Sequence, residues 1–212
     1  MNGNVESLIF DVDGTLWNSV PLVAKGWNLA LEELGLPAAC TVEGIQHYFG
    51  KTMTEIADGV LSEVEVPKRY RYMERLMARE HKVMQADPCE IFYPEVKETL
   101  EVLSKHYRLF IVSNCQKGYI EMLLEKGKLA HLIEDHTCFG ETGTCKAESI
   151  QTLMRRNDIQ SAYYIGDTQG DLEAAQGAGI PFVWASYGFG TPETWQGKVT
   201  SFSQLAELFP GK

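Results

Sequence analysis

The chain has 212 residues, 44% hydrophobic and 23% charged, and its 19 Lys+Arg against 29 Asp+Glu give a formal net charge of −10. That length suits one domain, or one domain with a smaller insertion, and buries roughly 70% of the unfolded surface without disulfide or metal staples. The acidic balance argues against loose binding to nucleic acid or an anionic membrane, so a negatively charged ligand needs local help from a metal ion or a few placed cations.

The start, MNGNVES, has neither the basic opening nor the apolar run of a secretory signal. No segment approaches the ~18 apolar residues of a membrane span, and a cytoplasmic protein is expected. Five cysteines (Cys40, Cys89, Cys115, Cys138, Cys145) are scattered without a CxxC pair, as expected of free thiols in a reducing compartment.

In chain order, residues 7–12 (SLIFDV) read as a first buried strand that runs into Asp11, Asp13 and Gly14. From Trp17 to about Pro88 no strand pattern occurs. Leu22, Val23, Trp27, Ala30, Leu31 and Leu34 form one helical stripe ended by Gly35 and Pro37, and Met73, Leu76, Met77 and Met84 form another. Residues 17–88 therefore read as a helical insertion in a core made of residues 1–16 and 89–212.

Pro94 and Glu95 open a helix carrying Val96, Leu100 and Leu103. Residues 108–113 (RLFIVS), 162–165 (AYYI) and 181–185 (PFVWA) are further strands, with 136–139 a weaker one. Ile150, Leu153 and Met154 mark a helix, and residues 171–176 another, stopped by Gly177 and Gly179. Strands apolar without alternation belong to a parallel sheet covered on both faces, and their alternation with helices predicts an α/β fold, Rossmann-like, with right-handed crossovers.

In such sheets ligands sit beyond the carboxyl ends of the strands. Strand one ends in Asp11 and Asp13, strand two in Ser113 and Asn114, and the 162–165 strand in Gly166-Asp167 with Asp171 four residues on; Lys146 opens the preceding helix. Each has a plain reading alone: a turn at Asp13-Gly14, a helix-start acid at Asp171, loop hydrogen bonds at Ser113 and Asn114, a solvated Lys146. Convergence is what the plain readings do not require. Two unit charges ~4 Å apart repel by about 4 kcal/mol at an effective dielectric of ~20, so gathered carboxylates take up protons or bind a hard cation. Mg²⁺ suits them, since it takes one or two carboxylates, waters and a phosphate oxygen. Positions 11 and 13, on a strand, face one side and can reach one phosphorus.

DVDGTL (residues 11–16), VSN (112–114), Lys146 before a helix and GDTQGD (166–171) together resemble the four motifs of the haloacid dehalogenase superfamily. The likeness is to its Mg²⁺-dependent phosphatases with a helical cap, of the phosphoglycolate phosphatase type, and it spans nearly the whole chain. The resemblance implies a phosphatase hydrolysing a small phosphorylated metabolite through an aspartyl phosphate. Asp11 would be the nucleophile and Asp13 the general acid/base; Ser113 and Lys146, with Gly14 and Asn114 nearby, would bind the phosphoryl group. Asp11, the carbonyl of Asp13 and Asp167 would ligate Mg²⁺, with Asp171 doing so directly or through water. Two positions depart from the pattern: Ala147 stands where many members have proline, and Asn18 where many have aspartate.

Alternatives are a phosphomutase, a phosphonatase and a non-enzymatic receiver-like phospho-accepting module. Dehalogenases and phosphonate hydrolases of this fold lack an acid at position 13. The mutases' cap histidine would fall at Val23, and a receiver's accepting aspartate follows its third strand, with no helical insertion. By resemblance the cap's recognition loop lies at residues 49–55 (FGKTMTE), where Lys51 either meets a second anionic group of the substrate or is simply solvated. Trp17 and Trp27 either line the entrance or belong to the core, and YGFG (187–190) borders the site by position alone.

Overall fold

The computed structural model describes residues 5–88 and 91–211. Cys89 and Glu90 lie outside them, and with them the expected boundary at 88/89; the start of the N-terminal segment does too. The chain forms two compact units, Met1–Asn18 with Phe92–Lys212, and Ser19–Ile91. The first break thus falls two residues later than expected, because Trp17 is fully buried in the first unit, its ring 5.6 Å from that of Phe92.

β1 (Ser7–Phe10) precedes the second unit, whose helices are α1 (Val20–Glu33), α2 (Val42–Gln46), α3 (Met53–Val60) and α4 (Val66–Ala86). The first unit continues with α5 (Val96–Leu103), β2 (Arg108–Ser113), α6 (Tyr119–Gly127), β3 (Asp135–Cys138), α7 (Phe139–Thr142) and α8 (Lys146–Arg156). It ends with β4 (Ala162–Gly166), α9 (Gln169–Ala178), β5 (Phe182–Ala185), β6 (Gly197–Val199) and α10 (Leu205–Leu208).

The six strands make one sheet in the order β3-β2-β1-β4-β5-β6, with every neighbouring pair parallel. This is the doubly wound arrangement, in which the strand order reverses beside β1 and a crevice opens at the carboxyl edge. β1 is central and wholly buried, pairing Phe10 with Ile111 on one side and Ile165 on the other. Ile9, Phe110, Val112 and Tyr164 pack with Ile150 and Leu153 of α8 and Leu172 and Ala175 of α9. Each such aliphatic side chain contributes about 1.5–3 kcal/mol of burial.

Two details differ from the sequence reading. β1 stops at Phe10, so Asp11 and Asp13 do not sit on one strand face: only the Asp11 amide continues the ladder, donating to the Ile165 carbonyl at 2.9 Å, before the chain turns. α9 runs through Gly177 and stops at Gly179 alone, which takes the left-handed φ of 76°. Gly177 allows close packing on α8, since a Cβ there would lie 2.9 Å from that of Ala147.

In the second unit α1 packs along α4. Gly26 permits this, because a Cβ there would stand 2.6 Å from the Glu80 Cα. Trp27 is core rather than entrance: it is buried, and its Nε1 donates to the buried Glu80 carboxylate at 2.6 Å. Among the described residues no helix is long and apolar enough to cross a membrane.

Candidate active site

The loop after β1 carries the first acids. It closes on itself through the Leu16 amide to the Val12 carbonyl at 2.8 Å and the Gly14 amide to the Trp17 carbonyl at 2.9 Å. Gly14 has φ 83°, and a Cβ on it would collide with the Asp167 carboxylate. Glycine is thus required there twice over, by backbone conformation and by space.

Asp11, Asp167 and Asp171 are buried, each with a carboxylate oxygen within 4.8 Å of the others'. Lys146, at the start of α8, is no surface charge: it is 6% exposed, and its Nζ donates to Asp11 Oδ1 at 2.9 Å and Asp171 Oδ1 at 2.6 Å. Three carboxylates and one ammonium leave an excess of negative charge when all are ionised. Burial pushes the Asp11 carboxyl up to about 7 although Lys146 pulls it down, and Asp171 and Asp13 add to the rise. Asp167 lies well above the usual carboxylate range, through burial and the charges of Asp171 and Asp11. Burial would raise Asp171 as well, but the charge and hydrogen bond of Lys146 and the donors of Thr168 outweigh it and hold it low. Lys146 is raised, its two carboxylate partners overcoming the cost of burial.

The plain reading of Asp171 is correct as far as it goes. Its Oδ2 accepts from the Thr168 amide at 2.9 Å, the Thr168 hydroxyl at 2.7 Å and the Asp167 amide at 3.1 Å, closing a capping box at the start of α9. With Oδ1 on Lys146, both its oxygens are engaged by the protein. Asp167 is different: Oδ2 accepts from the Phe189 amide at 2.6 Å, while Oδ1 is buried without a hydrogen-bond partner. An orphaned carboxylate oxygen beside two further acids is what a hard divalent cation satisfies, and this donor set fits Mg²⁺ chemistry.

Asp13 is half-buried, and its Oδ1 accepts from both Trp17 Nε1 and Tyr119 Oη, each at 2.9 Å. Ser113 is the buried last residue of β2, two positions past the Phe10–Ile111 pairing, and the half-buried Asn114 follows it at the same edge. Lys51 lies in the second unit, exposed, its Nζ 5.2 Å from the centre of the Tyr48 ring. The following Thr52 and Glu55 form a capping box for α3.

Some contributors left weak marks in the sequence or none. Phe189 acts through its backbone amide, and a Cβ on Gly188 would collide with the Gly14 carbonyl and Asp167, so the YGFG loop does border the acids. Tyr187 anchors this loop by donating to the Thr15 carbonyl at 2.8 Å. Tyr119 showed no signal at all.

Fold and side chains define an α/β protein with a buried acid–lysine centre at the carboxyl edge of a doubly wound parallel sheet. The model of haloacid dehalogenase-like hydrolases matches residues 8–185, and the chain belongs to that family of enzymes. It is similar to a phosphoglycolate phosphatase of Aliivibrio fischeri (28% identity over 197 residues, 88% of this chain and 86% of that one). A phosphoglycolate phosphatase of Aquifex aeolicus is 29% identical over 187 residues, 86% of this chain and 85% of its own. The crystal structure of a predicted phosphoglycolate phosphatase from Haemophilus somnus superposes with a TM-score of 0.83 at 23% identity, covering 96% of this chain and 97% of that one.

Proposed function

We propose that the protein is a Mg²⁺-dependent phosphatase that hydrolyses a small phosphorylated metabolite through an aspartyl phosphate on Asp11. The observation that carries this reading is the buried cluster of three carboxylates and Lys146, with one Asp167 oxygen lacking any donor. Asp11, the carbonyl of Asp13 and Asp167 hold the cation, and Asp171, engaged on both oxygens, supports Lys146 and the loop. When bound, Mg²⁺ supplies positive charge that offsets repulsion between Asp11 and a phosphate dianion and stabilises the transition state.

Asp11 attacks phosphorus, needing no general base once it is ionised. Lys146 and Ser113 hold the phosphoryl group, with Gly14 and Asn114 beside it. Asp13 gives a proton to the leaving oxygen and takes one from the water that splits the aspartyl phosphate. Residues 19–91 are the helical cap in this reading, and Lys51 is its candidate cation for a second anionic group of the substrate. The names of the relatives make 2-phosphoglycolate the first substrate to test. Purified protein should release phosphate from p-nitrophenyl phosphate with added Mg²⁺ and stop on chelation; no turnover of any ester in a screen of phosphorylated metabolites would defeat the enzyme reading.

Cation binding should also show in stability. A carboxyl raised to about 7 in the folded protein against ~3.9 unfolded keeps a proton that the unfolded chain gives up. Metal-free stability from Asp11 is therefore full below pH ~4 and is lost as pH rises towards 7, with Asp167 acting in the same direction. Mg²⁺ displaces those protons, so its stabilisation grows across that window. At ~100 times its dissociation constant it should add about 2.7 kcal/mol, a Tm rise of roughly 5–10 °C at pH 7.5, and clearly less at pH 5. Thermal melts with and without Mg²⁺ at both pH values measure this, and a larger shift at pH 5 contradicts it.

A further inference from the structure

We propose that Tyr119 and Trp17 are positioning residues that select which oxygen of Asp13 carries the transferable proton, an inference that rests on the phosphatase reading above. Both donate to the same atom, Asp13 Oδ1, at 2.9 Å, although Tyr119 comes from a point 106 residues further along the chain. A carboxyl oxygen has two lone pairs in the plane of the group, and two donors use both. A proton on Oδ1 would face the hydrogens of the indole and the phenol. Asp13 Oδ2 is therefore the oxygen that gives and takes the proton, and the two aromatic donors fix the direction in which it does so.

The donors are themselves held. Trp17 is fully buried, its ring lies 5.6 Å from Phe92, and the Tyr119 ring meets it edge-on at 5.4 Å and 86°. The Trp17 carbonyl also accepts from the Gly14 amide, so the indole belongs to the same closed loop as the acid it contacts. Tyr119 opens α6 directly after Gly118, whose φ of 89° turns the chain into the helix. Ring packing alone would be served equally well by phenylalanine at position 119; the hydroxyl is what reaches Asp13.

In the first step the Asp11–phosphorus bond forms as the ester P–O bond breaks, the bonding pair leaves with the ester oxygen, and the Asp13 Oδ2 proton neutralises it. In the second, water attacks phosphorus, returns a proton to Oδ2 and frees Asp11 and phosphate. An alkoxide leaving group needs the proton, whereas p-nitrophenolate leaves without it, so the two ester types separate proton delivery from every other part of the site.

The experiment measures kcat/KM, which reports on the first step, for Tyr119→Phe with p-nitrophenyl phosphate and with an alkyl phosphate that the wild type hydrolyses. The alkyl ester should lose about tenfold or more, the effect of one hydrogen bond to a charged group, while p-nitrophenyl phosphate stays within about threefold. Trp17→Phe, which keeps an aromatic ring in the slot, should repeat this pattern. Equal loss on both esters, or none on the alkyl ester, overturns the assignment. Wild-type failure on both esters removes the phosphatase reading instead.

Discussion

Asp11→Asn is expected to lower phosphate release by at least about a thousandfold while leaving the fold intact. An amide is no nucleophile towards phosphorus, so the proposed covalent route would close, and what the rest of the site would retain is slow attack by water. The stability half of the prediction comes from the same geometry. Asp11 is buried beside Asp167 and Asp171, and its carboxyl is already pushed up to about 7 by that burial. An asparagine oxygen still accepts from Lys146, while one of the crowded charges disappears. The metal-free variant should therefore melt at or above the wild-type temperature at pH 7.5. Initial rates and thermal melts on the same preparation decide the matter: wild-type turnover refutes the nucleophile, and a collapsed melting curve would show a structural role instead.

The convergence of Asp11, Asp167 and Lys146 could be read in the sequence because the two acids follow short apolar strands and the lysine opens the helix between two strands. A parallel sheet places strand ends and the helix starts that follow them at one edge. The helical run between β1 and α5 was legible for a similar reason, through long stripes at helical spacing. Other features depend on contacts that no local pattern announces. β6 is only Gly197–Val199, three residues with a single buried side chain, and it exists by pairing with β5. Tyr119 looks like any core aromatic of an amphipathic helix until the fold brings its hydroxyl to Asp13. Phe189 contributes a backbone amide, which any residue but proline could supply. Trp17 could be either entrance or core from sequence alone, and only the fold decides for core: its indole is fully buried and donates to Asp13.

The depth of Lys146 also changes what the site requires of the protein as a whole. An exposed lysine beside carboxylates contributes at most about 1 kcal/mol, and its loss is tolerated. A lysine inside, holding Asp11 and Asp171 at once, is what allows those acids to be buried together. Its ammonium also lies 5.9 Å from the centre of the Tyr164 ring, whose hydroxyl donates to the Val112 carbonyl at 2.8 Å. In the proposed mechanism the same side chain has a second duty, to bind the phosphoryl group.

Lys146→Met tests both duties and should have the largest effect on stability of any single change at the site. It keeps the bulk and apolar stem of the side chain but leaves buried carboxylates without their cation, a loss of about 3–5 kcal/mol in metal-free protein near neutral pH. The pH dependence follows from the carboxylates. Lys146 lowers the pKa of both Asp11 and Asp171, so without it both move up, and a raised carboxyl loses stability as pH climbs above ~4. The gap in urea midpoint between wild type and variant should therefore be small at pH 5 and widen by pH 7.5, and equal midpoints at pH 7.5 would show that the ion pair holds nothing together. Added Mg²⁺ should recover part of the lost stability by supplying charge to the same acids. It should not restore turnover if Lys146 meets the phosphoryl oxygens as proposed; a variant that regained wild-type rates with Mg²⁺ would show that Lys146 serves the fold and not the reaction.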